Sequence, residues 1–259
     1  MTRDATFRRT PRAFAVRLGL RDLGNNLKGF RVFLACLIIG VAAIAGVGSL
    51  TAAIMDGLRD QGQVLLGGDV ELQLTQRPAA HSERDALAAS GKVSEVVTLR
   101  SMARVQGNDE RSLVEIKAVD AAYPLYGAVD LRGGQPLANV ISRQGGVWGA
   151  AMDPELAIRL DVDVGARLRI GDIDVVVRAI IDREPDRAND GFELAPRLMV
   201  AEGALQESGL LALGSLRRHS YRLKLPSDAD PVVWRERIEA EFPEAGWRIR
   251  DREGSAPRI

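Results

Sequence analysis

His81, His219 and Cys36 are the only imidazole and thiol side chains in the sequence, the usual nitrogen and sulfur ligands of zinc. They lie far apart, with no further Cys or Glu at ligand spacing, so the residues predict two surface histidines rather than a zinc centre. Asp161-Val162-Asp163 and Asp172-Ile173-Asp174 place carboxylates two apart, as a calcium loop does. The further oxygen ligands and terminal Glu of an EF-hand are missing, so Asp alternating with apolar residues describes a strand or turn with one wet face. The run Asp182-Arg183-Glu184-Pro185-Asp186-Arg187 mixes signs, as solvated loops do; its continuation to Pro196 exceeds a turn's needs and leaves a contact role open. No Gly-x-x-x-x-Gly-Lys-Ser/Thr phosphate cradle and no Gly-x-Ser-x-Gly nucleophile elbow occurs. The sequence therefore offers no catalytic, cofactor-binding or metal-ligating residue, and no nucleophile–base pair for an enzyme.

The charge is distributed as if to orient the chain. Lys and Arg number 35, as do Asp and Glu, for a net charge of zero over 259 residues. Residues 1–31 hold eight basic side chains against two acidic ones, or +6, so the remainder carries 27 minus 33, or −6. A basic head on an acidic body argues against nucleic acid as a partner. One cysteine excludes a disulfide scaffold, and 46% hydrophobic residues exclude a disordered chain.

Val32 to Ile54 contains no charge. As a helix these residues would extend roughly 34 Å, enough for a bilayer's hydrocarbon core. A buried core helix rarely needs so long a run, and a cleaved signal peptide has a shorter apolar stretch and a shorter leader. The expectation is a retained transmembrane helix over 32–55. Arg8, Arg9, Arg12, Arg17, Arg21, Lys28 and Arg31 precede it, which places the N-terminus in the cytoplasm and residues 56–259 across the membrane. Phe14, Leu18, Leu23 and Leu27 recur at near-helical spacing, as in an interfacial helix on the inner leaflet or in an ordinary solvated leader. Small residues four apart (Ala42 and Gly46, Ala45 and Ser49, Gly48 and Ala52, Ser49 and Ala53) predict a face where another membrane helix approaches closely. Cys36 reads as a packing residue within the span.

The body reads as a mixed α+β domain. Gly67-Gly68 stops the first helix, and strands follow over Val70–Leu74, Val93–Val105 and Leu113–Val119, the last two a hairpin turning at Gly107-Asn108-Asp109. A helix is expected over His81–Ser90 and another after the Asp153-Pro154 cap. Arg167–Ile170 and Ile173–Ile181 form a second hairpin through Gly171-Asp172. Tyr221–Leu225 and Trp247–Arg250 alternate as strands, and Asp230-Pro231 opens a helix to about Phe242. The Gly- and Pro-rich stretch Tyr123–Gly149 suits a link between two subdomains.

Several blocks carry a resemblance. Arg17-Leu18-Gly19-Leu20-Arg21-Asp22-Leu23, Gly29-Phe30-Arg31, Leu34-Ala35-Cys36, Gly40 through Ala45 and Leu66-Gly67-Gly68-Asp69-Val70 resemble the start of an FtsX-like ABC transporter permease, nearest to the YbbP type. Val164-Gly165-Ala166-Arg167-Leu168-Arg169-Ile170-Gly171 resembles a strand pair of the MacB-like periplasmic core domain. Glu184-Pro185-Asp186-Arg187 and Pro196-Arg197 are similar to the same permease type.

The resemblance implies a bacterial inner-membrane protein with a periplasmic core. It also implies a separate ABC ATP-binding subunit, and packing against other permease helices or in a homodimer. Its substrates would be lipids or hydrophobic molecules, and a periplasmic lysophospholipase-like esterase would be an associate. Such permeases carry further membrane helices, and no second apolar stretch of spanning length occurs here, so the expectation is an N-terminal portion of a permease. The alternative is a single-pass, membrane-anchored binding or adaptor protein.

Overall fold

The computed structural model describes residues 31, 33–49, 66–107, 110–187, 195–212 and 216–251. The chain divides into two compact units, 1–57 and 58–259. In the first, residues 33–49 form helix α1, whose side chains are all exposed. The expected span begins and ends outside the described residues, at 32 and at 50–55. Among the described residues no helix is long and apolar enough to cross a membrane. The interfacial helix expected around Phe14–Phe30 also lies outside them.

The second unit opens with β1 (Val70–Thr75), α2 (His81–Ser90), β2 (Lys92–Val105) and β3 (Arg111–Val119). Next come β4 (Asp130–Leu131), α3 (Leu137–Ile141), β5 (Arg143–Gln144), β6 (Val147–Met152) and α4 (Pro154–Leu160). The chain continues through β7 (Arg167–Ile170), β8 (Ile173–Arg183), β9 (Arg197–Ala201) and α5 (Glu202–Glu207). It closes with β10 (Arg217–Lys224), α6 (Pro231–Glu241) and β11 (Arg248–Asp251). Strands and helices mix as an α+β domain, and both expected hairpins form, β2 with β3 and β7 with β8, in antiparallel register.

Six strands close on themselves. β2 pairs with β3, β3 with β9, β9 with β6, β6 with β8, β8 with β7, and β7 returns to β2. Closure leaves this ring without a free edge. Its core takes Leu99, Ala103 and Val105 from β2, Val114 and Ile116 from β3, and Val175 and Val177 from β8. Leu156 and Leu160 of α4 and Leu205 of α5 join the same core. Alternation puts these residues on one face of each strand, so their neighbours in sequence must face outward.

The other half of β2 belongs to an open sheet ordered β11-β1-β10-β2. Leu72, Leu74, Tyr221 and Leu223 of this sheet pack with Leu87 of α2 and with Trp234 and Ile238 of α6. The α6 start is fixed by sequence: Pro231 occupies the first turn and the Asp230 carboxylate accepts the Val232 N–H at 2.8 Å. α4 likewise starts at Asp153-Pro154 and ends where Asp161 turns into the left-handed region at φ 51°.

The Gly- and Pro-rich stretch from Tyr123 to β5 packs down as a covering layer. Leu131, Val140 and Ile141 are buried with Val96, Val119, Met199 and Ile181 in a third cluster. Arg178 fixes the layer by donating to the backbone oxygens of Val140, Ser142 and Val147. Leu137, Val140 and Ile141 on the short helix α3 supply the apolar surface that docks it.

Candidate functional site

Positions on β1, β3, β9 and β10 carry charge that water does not reach. Lys117 and Glu115 come from β3, Arg197 from β9, Arg222 from β10 and Glu71 from β1; all are buried. The strand registers bring them together: Glu71 lies opposite Arg222, and Glu115 opposite Arg197. Glu184 and Asp186, just past β8, lie over these residues and are themselves buried.

The contacts are dense. Asp186 accepts from Lys117 Nζ at 2.8 Å and from the Tyr123 hydroxyl at 2.6 Å, and pairs with Arg222. Glu184 pairs with Lys117 and accepts from Arg197 at 2.6 Å. The other arm of the Arg197 guanidinium reaches Glu115 at 2.7 Å. Beside them Arg187 forms a two-pronged pair with Asp153 at 2.8 and 2.9 Å, while Asp153 also accepts the Arg197 backbone N–H.

Burial makes this arrangement all-or-none. Removing water from each ion costs several kcal/mol, which only close counter-charges and filled hydrogen-bond positions offset. Burial alone pushes the Asp186 carboxyl up, but the charges of Lys117 and Arg222 and the hydrogen bonds from Lys117 and Tyr123 outweigh it. Asp186 is therefore held well below the ordinary carboxylate range. Burial drives the Tyr123 phenol far above its usual value, and the facing Asp186 and Glu184 charges add to that shift. Tyr123 thus remains a donor. The buried pairs fasten the segment after β8 onto the barrel wall, and Glu115 also lines a neighbouring depression with Arg100 and Arg217.

A second polar group lies in the open sheet. Glu95 accepts from the Tyr221 hydroxyl at 2.9 Å, and His219 Nδ1 lies 3.0 Å from the same oxygen. Burial raises Glu95, but the hydrogen bonds from His219 and Tyr221 and the Arg84 charge reverse this and leave it lowered. Burial lifts the Tyr221 hydroxyl to about 12, with the Ala79 N–H opposing and Glu95 assisting. The expectation of two surface histidines holds for His81, which is exposed, and fails for His219, which is buried. His219 stands at the centre of β10 between β1 and β2, a position its sequence neighbours did not reveal.

The remaining candidates are placed as follows. Asp161 ends α4, and Asp174 of β8 faces Arg169 of β7 across the hairpin. Among the described residues no group of three or more His, Cys, Asp or Glu side chains is arranged to hold a metal ion. Of the proposed helix-packing face, Ala42, Ala45, Gly46, Gly48 and Ser49 lie on α1 and are exposed; Ala52 and Ala53 fall outside the described residues. At about 100° per residue, Ala42, Ala45, Gly46 and Ser49 share one side, and Gly48 falls about 60° beyond it. A Cβ added at Gly46 or Gly48 would meet open space.

Sequence reasoning missed Lys117, Arg197 and Arg222 as a group. The available signal was the motif around Glu184 and Asp186: acidic residues beside a proline, followed by Pro196-Arg197, in a connection too long for a turn.

The chain is similar to several known proteins. The description of a MacB-like periplasmic core domain matches residues 32–241. The uncharacterized ABC transporter permease YbbP of Escherichia coli (strain K12) is 28% identical over 213 residues, covering 82% of this chain and 25% of that protein. The chain thus spans about a quarter of the length of this curated relative. The extracellular domain of the noncanonic ABC-type transporter YknZ from Gram-positive bacteria is 10% identical, covering 70% of this chain and 100% of that one, with a TM-score of 0.48. The periplasmic region of MacB from Actinobacillus actinomycetemcomitans is 9% identical, covering 73% and 91%, with a TM-score of 0.46. With well over half of its length matched by one family, the chain belongs to the MacB-like periplasmic core domain family.

Proposed function

We propose that this chain supplies the first membrane helix and the periplasmic core of an ABC transporter permease. It performs no bond chemistry. It couples ATP hydrolysis by a separate ATP-binding subunit to movement in the periplasm, and handles lipids or other hydrophobic molecules there. The observation that carries this reading is the extent of the family match, which begins in the charge-free stretch and continues through the folded body to residue 241. The basic residues before the stretch favour an N-terminus inside the cell. A helix face of Ala42, Ala45, Gly46, Gly48, Ser49, Ala52 and Ala53 suits close packing against other permease helices or a second copy. The fastened charge cluster suits a body that transmits force without deforming. The esterase associate has no support from the site or from the relatives and is left out of this reading.

The test is to express the chain in its native host with a C-terminal alkaline phosphatase fusion and to isolate membranes after crosslinking. The expected result is an active periplasmic reporter, retention in the membrane fraction and co-isolation of an ATP-binding subunit. Recovery in the soluble fraction overturns the reading. Capture of another envelope protein without any ATP-binding subunit overturns it too, in favour of a single-pass adaptor.

A further inference from the structure

The same outward face that is buried around Lys117 becomes open farther along β2. There, Arg104 stands directly opposite Arg111 of β3 on one side and Arg169 of β7 on the other. All three side chains are exposed. Like charges in direct cross-strand register repel and destabilise a sheet. Arg169 is relieved by Asp174, 3.5 Å away across the hairpin, and donates to the Asp172 backbone oxygen at 3.3 Å. Arg104 and Arg111 have no carboxylate partner among the described residues. The three arginines, Met102 and Gly171 line a depression of about 540 Å³. Two residue pairs along from Arg104 and Arg111, and so on the same face, Met102 faces Leu113, and these two apolar side chains are 47% and 43% exposed.

Among the described residues only Arg169 of this guanidinium row pairs with a carboxylate, and guanidinium forks match the paired oxygens of a phosphoryl group. The apolar pair adjoining the row offers no partner to a free ion, but it covers the first carbons of a chain attached to one. We propose that this depression binds a phosphate-headed amphiphile, the headgroup on Arg104, Arg111 and Arg169 and the start of the chain on Met102 and Leu113. This deepens the transporter reading by naming a substrate chemistry. Binding needs no ATP-binding subunit, so loss of either conclusion leaves the other measurable.

The test titrates the full chain in nonionic detergent with a short-chain lysophosphatidic acid, and separately with inorganic phosphate, by microscale thermophoresis. The amphiphile is expected to bind about tenfold or more tighter than inorganic phosphate, and Arg104→Gln with Arg111→Gln to weaken it by about tenfold or more. Met102→Ser with Leu113→Ser should weaken the amphiphile severalfold while leaving phosphate unchanged. Arg167→Gln, an exposed change on the same strand as Arg169, should alter neither. The arginine variant should melt no lower than the parent, because it relieves repulsion, which separates lost binding from lost folding. Unchanged amphiphile affinity in the arginine variant overturns the proposal. So does inorganic phosphate binding as tightly as the amphiphile, which would mark a free-anion site.

Discussion

Asp186 keeps its charge in a place where a lone carboxylate would be neutral. Lys117, Arg222 and Tyr123 make this possible, and the dependence runs both ways, since those cations are buried beside it. Asp186→Asn removes the counter-charge but not the burial, so it should cost about 3–5 kcal/mol, measured by denaturant unfolding. A loss below 1 kcal/mol would mean that water reaches the cluster. The depressed carboxyl also sets a pH window. Its folded-state value lies below the ordinary aspartate value of 3.8, so its stabilising contribution is present above that pH and disappears as pH falls through the folded value. Melting temperature should therefore drop on acidification below about pH 4, and the drop should be shallower in the Asn variant. At this scale the sequence was hard to read. Val114-Glu115-Ile116-Lys117-Ala118 alternates as a strand with one wet face would, and nothing in it says that Glu184 and Asp186 cover the charged side.

Elements were more legible, because their signals are local. Helix His81–Ser90 occupies its expected residues, and Gly171 turns β7 into β8 at φ +55° as a tight connection requires. Strand β9 and helix α5 went unmarked: Arg197–Ala201 is only five residues long and buried on both faces, so it lacks alternation. Parallel pairing of β9 with β3 joins residues distant in sequence, which no local pattern encodes. Close approach between elements is testable at Gly149 of β6. A Cβ there would collide with the Val140 carbonyl and crowd the Arg178 guanidinium. Gly149→Ala should cost about 1–3 kcal/mol by forcing the covering layer away from the barrel. An unchanged melting midpoint would contradict the packing described for residues 137–149. On α1, Gly46→Leu should leave membrane insertion intact while reducing crosslinks to neighbouring helices in an assembled permease. Equal crosslinking would remove Gly46 from the contact face.

At the scale of the molecule, the α+β class and the family were readable from composition, turn chemistry and a few motifs, whereas ring closure was not. Closure depends on four residues of β7 bridging β2 and β8, a long-range event invisible to periodicity. The anchor proposed for 32–55 is testable by a single charge: Ile44→Arg should cost about 2.5–3.5 kcal/mol of insertion free energy at the bilayer centre. Insertion equal to that of the parent would reject the span. In the folded body, β2 is one strand of fourteen residues, pairing with β10 in its first part and with β3 and β7 farther on. Open sheet and closed ring thus have the backbone of β2 in common. A pull on either lobe passes along a single run of peptide bonds into the other, so the pair should swing together as one stiff lever rather than open like jaws.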